Sequence, residues 1–249
     1  MEQFWRLSFD GAPLTLFGVS HVSALLAAVA VCLLVAIWAR TNRHERRRER
    51  VRYALVAFCL LNQVLWDVWQ ISNGIWSLAY SLPLHICMLS VPLSALMLWM
   101  RSYRLFEVLY FWGFAGATQA MLTPDIGLYN FPHFAYWIFF TSHTAIWLGV
   151  IFMISAYRYR PTWGSILRVI IITNIAMLVA SSVNYLTGGN YMYLARHLPR
   201  PRGSTCSAPG PITLSGWKCS ASSRSCSCIC HGRWWIGARL GTIALRTKN

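Results

Sequence analysis

The sequence predicts an all-α fold: a polytopic transmembrane helical bundle with six spans. Three observations lead there. Hydrophobic residues make up 56% of the chain and charged residues only 12%, with 13 Trp, whereas a soluble domain carries roughly a quarter charged residues. Apolar runs of about 20 residues recur, the length that crosses a hydrocarbon core. The basic residues fall between these runs rather than within them. Backbone groups in lipid must bond within their own segment, so such runs are helical.

Taken in order, the spans read as 20–39, 53–71, 82–100, 104–122, 133–156 and 165–186. The first is long enough to span and has no basic stretch before it, so it is not read as a cleaved signal. The link after it, RTNRHERRRERVR, holds seven Arg and two Glu. The link after span 2, ISNGIWSLAYS, is uncharged; that after span 3 is RSYR; that after span 4, TPDIGLYNFP, carries only Asp125; that after span 5 holds Arg158 and Arg160. Basic and non-basic links alternate. By the positive-inside rule the N-terminus is outside and the Arg-rich link 40–52 is cytoplasmic, as in a cell-membrane protein. The net charge of +15 is therefore read as topology, not as a nucleic-acid footprint. The membrane lipids are the expected partners.

Composition changes after residue 197, so residues 1–197 form the membrane domain and 198–249 a separate, poorly ordered tail. Five of the eight Cys lie in the tail: Cys206, Cys219, Cys226, Cys228 and Cys230. Their spacing matches no zinc pattern, and no metal or other cofactor is expected. A shifted reading frame accounts for the tail better. With allowed codon choices, GSTCSAPGPITLSGWK becomes LDLLGPWPHYLVWLEV, and SCSCICHGRWW becomes VLLLYLPWAMV. A Ser/Cys-rich string thus turns into an apolar run suited to a seventh span.

Polar residues inside spans are costly and face the bundle interior. Gln63, Asp67 and Gln70 share one face of span 2, toward its outer end. His21, His85, Cys87, Gln119 and Asn184 lie toward the outer ends of spans 1, 3, 4 and 6. Together they suggest an outer polar cavity, or interhelical hydrogen bonds that hold the bundle. Asp67 needs a partner at its depth, and His21 or His85 fits. Trp66 and Trp69 read as an outer aromatic belt. Cys32 and Cys59 read as packing. Gly113, Gly116 and Ala117 allow close helix approach, Pro92 interrupts span 3, and Gly188–Asn190 makes a turn.

LPLHICMLS at 82–90, GFAGATQAMLTPD at 113–125, FFTSHTAIWLGV at 139–150 and GGNYMYL at 188–194 together resemble the YwaF-type integral membrane family, which includes eukaryotic transmembrane protein 164. The resemblance covers residues 15–195. It implies a seven-helix fold and, from the eukaryotic branch, acyl transfer between phospholipids through a cysteine. The matching cysteine is Cys87. His143, in FFTSHTA, is the natural base for it, with His21 as the fallback. Counted from the outer ends of spans 3 and 5, Cys87 and His143 differ in depth by about 7–8 Å. His85 is disfavoured as the base, because two residues along a helix turn the side chains about 200° apart. The leading expectation is a cysteine-dependent, phospholipid acyltransferase-like enzyme. The candidate substrate-binding residues are Asp67, Gln63, Gln70, His85, Gln119 and Asn184. The alternatives are a transporter or small-molecule binder using the outer cavity, and a membrane assembly factor without chemistry.

Overall fold

A computed structural model describes residues 2–195. The expected tail and seventh span lie outside the described residues. The described residues are helical with no strand, after a short N-terminal turn at Glu2–Trp5. Six main helical segments follow. These are α1 (Val19–Thr41), α2 (Glu45–Ser72), α3 (Ile86–Met100), a composite α4, α5 (Phe134–Tyr157) and α6 (Trp163–Thr187). The α4 segment is α-helical over Tyr103–Phe111 and Thr118–Leu122, with a π-helical stretch at Trp112–Ala117 between. Four of the six, α1, α2, α5 and α6, are each long and apolar enough to cross a membrane.

Local chemistry sets the ends. Ser102 accepts from the Leu105 N–H, and His133 Nδ1 accepts from the Ala135 N–H at 3.0 Å, capping α4 and α5. Thr162 and Ser165 form a reciprocal capping box on α6, satisfying two otherwise orphaned N–H groups. Gly188 ends α6 with φ +69°, a left-handed turn that glycine adopts without steric cost. The expected turn at 188–190 is therefore present. Its neighbour Gly189 lies so close to the Ala79 carbonyl that a Cβ would stand 2.5 Å from it.

The third span differs from expectation. Residues 82–85 are not helical, and α3 starts only at Ile86 with His85 as its N-cap. Pro83 favours extended backbone before it. The 200° argument against His85 therefore does not apply, because His85 is not on the helix. At the other end of the bundle, residues 45–52 extend α2 rather than forming a link.

The helix α5 is the hub, with 61% of its most apolar window buried, against 11% for α6. It touches α1, α2, α3 and α4, while α6 leans on α4 and on the turn Tyr191–Tyr193. Trp69 is fully buried and packs with Tyr129, Phe134 and Ile138. Its indole N–H donates to the Trp5 carbonyl at 2.8 Å. The aromatic-belt expectation is corrected for Trp69, whose ring is core because the N-terminal segment folds over it.

The Arg-rich end is clamped by charge. Glu49 accepts from Arg52, from Arg101 Nη2 at 2.5 Å and from the Tyr157 hydroxyl at 2.9 Å. One carboxylate thus joins the ends of α2, α3 and α5. The buried Arg52 also donates to the carbonyls of Leu98 and Trp99, which end α3 and lack intrahelical partners. Glu107, buried in α4, accepts from Ser165 Oγ and Arg168 Nη2, pinning α6.

Candidate functional site

Cys87 sits in the first turn of α3, half-buried and unoxidised. No side chain caps that turn, so its backbone N–H groups remain as donors near the thiol. Space beside the thiol comes from Gly116 in the π segment, where an added methyl would stand 3.6 Å from Cys87 Sγ. π stretches are rare and occur often at functional sites.

His143 lies on α5 and is buried. Its Nδ1 bonds the Phe139 carbonyl at 2.7 Å. A carbonyl only accepts, so Nδ1 carries the proton and Nε2 keeps the lone pair. Two packing registers fix its height against Cys87. Gly113 meets Ile146 (3.2 Å for an added methyl) and Gly116 meets Cys87. Three residues toward the Cys87 end from each member of the first pair reach Gly116 and His143. Independently, Gly149 packs on Ser94 at 3.5 Å. Seven residues back from Ser94 is Cys87, about 10 Å; six back from Gly149 is His143, about 9 Å. The two side chains therefore share a level. The offset expected from the sequence assumed that both helices begin at one depth. Instead α3 starts at Ile86, one residue before Cys87, while α5 starts at Phe134, nine residues before His143. Among the described residues no hydrogen bond joins Cys87 to His143.

His21 is differently placed. Its Nδ1 accepts from the Phe17 N–H at 2.9 Å, and its Nε2 donates to the Met121 carbonyl at 2.8 Å. Both nitrogens are occupied in tying α1 to α4. His85 Nδ1 accepts from the Met192 N–H at 3.3 Å, and its ring packs on Tyr191 and Tyr193.

The other polar candidates divide into groups. Gln70 Oε1 accepts from Ser81 Oγ at 2.7 Å. Asn184 holds both backbone groups of Tyr191, and the Tyr191 hydroxyl bridges Leu82 N–H and the Leu78 carbonyl. Gln70, His85 and Asn184 thus belong to one layer that seats the 73–85 link against the 188–193 turn, next to Cys87. Gln63 and Asp67 bond each other on α2 at 3.1 Å. The expected histidine partners of Asp67 are engaged elsewhere. Gln119 is exposed and bonds Thr123.

Sequence reading missed Tyr193. It is 59% exposed, yet partial desolvation and then the charges of Asp125 and Cys87 push its phenol up to about 12, and it stands as a protonated donor in Cys87's neighbourhood. Burial also raises the Asp125 carboxyl, with the Gly127 N–H opposing. Only the GGNYMYL and TPD motifs hinted at these two.

A groove of about 490 Å³ opens between Thr15, Ser20, Ser23, Asn130, Phe131 and Tyr136. Another, of about 650 Å³, lies at the Arg-rich end along Glu45–Tyr53. Neither is lined by Cys87 or His143. No group of His, Cys, Asp and Glu suited to a metal occurs among the described residues.

No curated protein and no solved structure matches the chain. The TMEM164 family model matches residues 16–219, which takes in every motif and helix above. This integral membrane protein therefore belongs to the TMEM164 family.

Proposed function

We propose that the protein is a cysteine-dependent acyl-transfer enzyme acting on membrane phospholipids, with Cys87 as nucleophile and His143 as its base. The observation that carries this reading is the contact of Gly116, in the π segment, with Cys87, and the helix registers bring His143 to the same level. His143 Nε2 takes the thiol proton. Sγ attacks the ester carbonyl carbon, and its C–O bond breaks. The departing lysophospholipid oxygen receives the proton back from His143. A second alcohol then attacks the thioester and gives its proton to the same nitrogen; the C–S bond breaks, and His143 returns the proton to Sγ. First-turn N–H groups of α3 are donors suited to the developing oxyanion. The protonated Tyr193 and the layer built on Gln70, His85 and Asn184 hold the mouth of the site. In this reading the Cys87 end faces outward and the Arg-rich end faces the cytoplasm, in agreement with the charge of the links.

The test is to incubate the protein in liposomes with phospholipid bearing a labelled acyl chain. A hydroxylamine-labile label should appear on the Cys87 peptide and vanish in Cys87→Ser, because an alcohol is far harder to deprotonate than a thiol. His143→Ala should slow Cys87 alkylation at pH 7 and matter less at high pH, where the thiolate forms unaided. Absence of acylation together with a pH profile unchanged by His143→Ala defeats the proposal. The 490 Å³ groove favours a second reading, a binder or transporter of small polar molecules. Substrate flux through liposomes that survives Cys87→Ala but not Tyr136→Ala would support that one.

A further inference from the structure

The helix α6 carries an amide where lipid should be. Asn174 lies 11 residues from Trp163 and 13 from Thr187, so about 17 and 20 Å from the two ends of α6. It is exposed. One amide hydrogen returns to the Ile170 carbonyl at 2.8 Å. Among the described residues the second hydrogen and Oδ1 have no partner. An unsatisfied amide facing hydrocarbon is unfavourable, and Asn is a residue type that joins helices in membranes.

The surrounding face has a definite pattern. Leu167, Ile170, Asn174, Met177 and Ser181 follow the 3–4–3–4 spacing of a coiled-coil seam, and all five are exposed. A neighbouring face, about 100° round the helix and running through Val169, Thr173 and Ala180, is the one that meets the rest of the bundle. In heptad terms Leu167, Asn174 and Ser181 occupy the a positions, where a single Asn sets register and partner.

We propose that this seam is a self-association surface, α6 against α6 of a second copy. Two copies inserted the same way present α6 in parallel about a two-fold axis. Parallel pairing sets a against a, so Asn174 meets its own counterpart. Each amide then gives its second hydrogen to the other's Oδ1, and both are satisfied. By sequence, the longest stretch of residues 196–249 without Lys or Arg is 203–217, shorter than a span. Charge does not oppose the pairing, since Arg168 near the start of α6 is neutralised by Glu107 at 2.6 Å within its own chain. The inference does not depend on the catalytic reading.

The full chain, with its native cysteines replaced by Ser, is oxidised in membranes after adding one cysteine. Leu167→Cys should give a disulfide dimer, and Ile172→Cys, on another face, should not. Asn174→Leu should weaken the dimer on the order of tenfold, and Asn174→Gln should retain it. If the cysteine-free background fails to accumulate, photobleaching counts of the unmodified protein against Asn174→Leu decide the matter. Two copies falling to one supports the seam. A monomer from the start, a dimer indifferent to Asn174→Leu, or equal cross-linking at 167 and 172 overturns it.

Discussion

Gly116→Ala separates the room beside Cys87 from the stability of the bundle. The added methyl would lie 3.6 Å from Cys87 Sγ and 3.8 Å from Ile86 Cγ2, ordinary contact distances that require no movement. Gly116 does not have a positive φ, so Ala carries no backbone strain. Replacing a helical Gly by Ala gains about 0.5–1 kcal/mol, or about 1–4 °C in Tm for a chain of this size. The variant should therefore be as stable as the parent or slightly more so. The methyl fills the space beside the thiol, so Cys87 alkylation should slow while Cys32 and Cys59, both buried, stay silent. Gly113→Ala is the control. Its methyl would come within 3.2 Å of Ile146 Cγ2, so the neighbour must shift, and overpacking of this kind costs about 1–3 kcal/mol. The assay is thermal unfolding in detergent, paired with peptide-resolved mass spectrometry of alkylation. A Gly116→Ala protein that loses several degrees and alkylates Cys87 at the parental rate would refute the geometry on which the site rests.

Two further outcomes are expected. Glu49→Gln removes the charge shared by Arg52, Arg101 and Tyr157; the Arg52 side chain is 3% exposed and that of Glu49 23%. Breaking a fully buried pair costs about 3–5 kcal/mol, and the partial exposure of Glu49 reduces this to about 2–3, so thermal unfolding should move down by about 5–10 °C; a shift below ~2 °C would show that the clamp is not structural. Single cysteines at Ser77 and Thr41, treated with an impermeant maleimide on intact cells, should label at Ser77 only, and the reverse pattern would overturn the orientation.

The apolar segments were legible because lipid imposes a length and a composition that a single sequence displays. The start of α2 was not. Glu45–Arg52 is charged and reads as a link, yet Arg52 is buried because its guanidinium finds carbonyls at Leu98 and Trp99, 46 and 47 residues away. No local pattern announces such a pairing. The histidines show the same limit. His21 and His143 look alike as polar residues in apolar runs, and only tertiary hydrogen bonds show that both nitrogens of His21 are occupied. Tyr191 and Tyr193 appeared as parts of a motif, without the partners that organise the Cys87 end. The likeness to the family pointed to the stretches that carry the proposed site, and the packing of Gly113, Gly116 and Gly149 supplied their relative heights.

The π stretch at Trp112–Ala117 also bears on how the gene can change. A π turn is an α-helix holding one residue more than its neighbours need. Deleting a single residue there would let the strand of backbone relax into continuous α-helix and rotate everything beyond it by about 100°. The part before the π stretch, with Val108 and Trp112 against Val169 and Thr173, would keep its partners. The part after it would not: the Met121 carbonyl would swing away from His21 Nε2, and Gly116 would no longer be the residue beside Cys87. One residue more than an α-helix needs thus sets a phase difference between two halves of one helix, each met by a different neighbour. Among homologous sequences, single-residue gaps should be tolerated in the links at 73–85 and 123–133 and be depleted between 112 and 117.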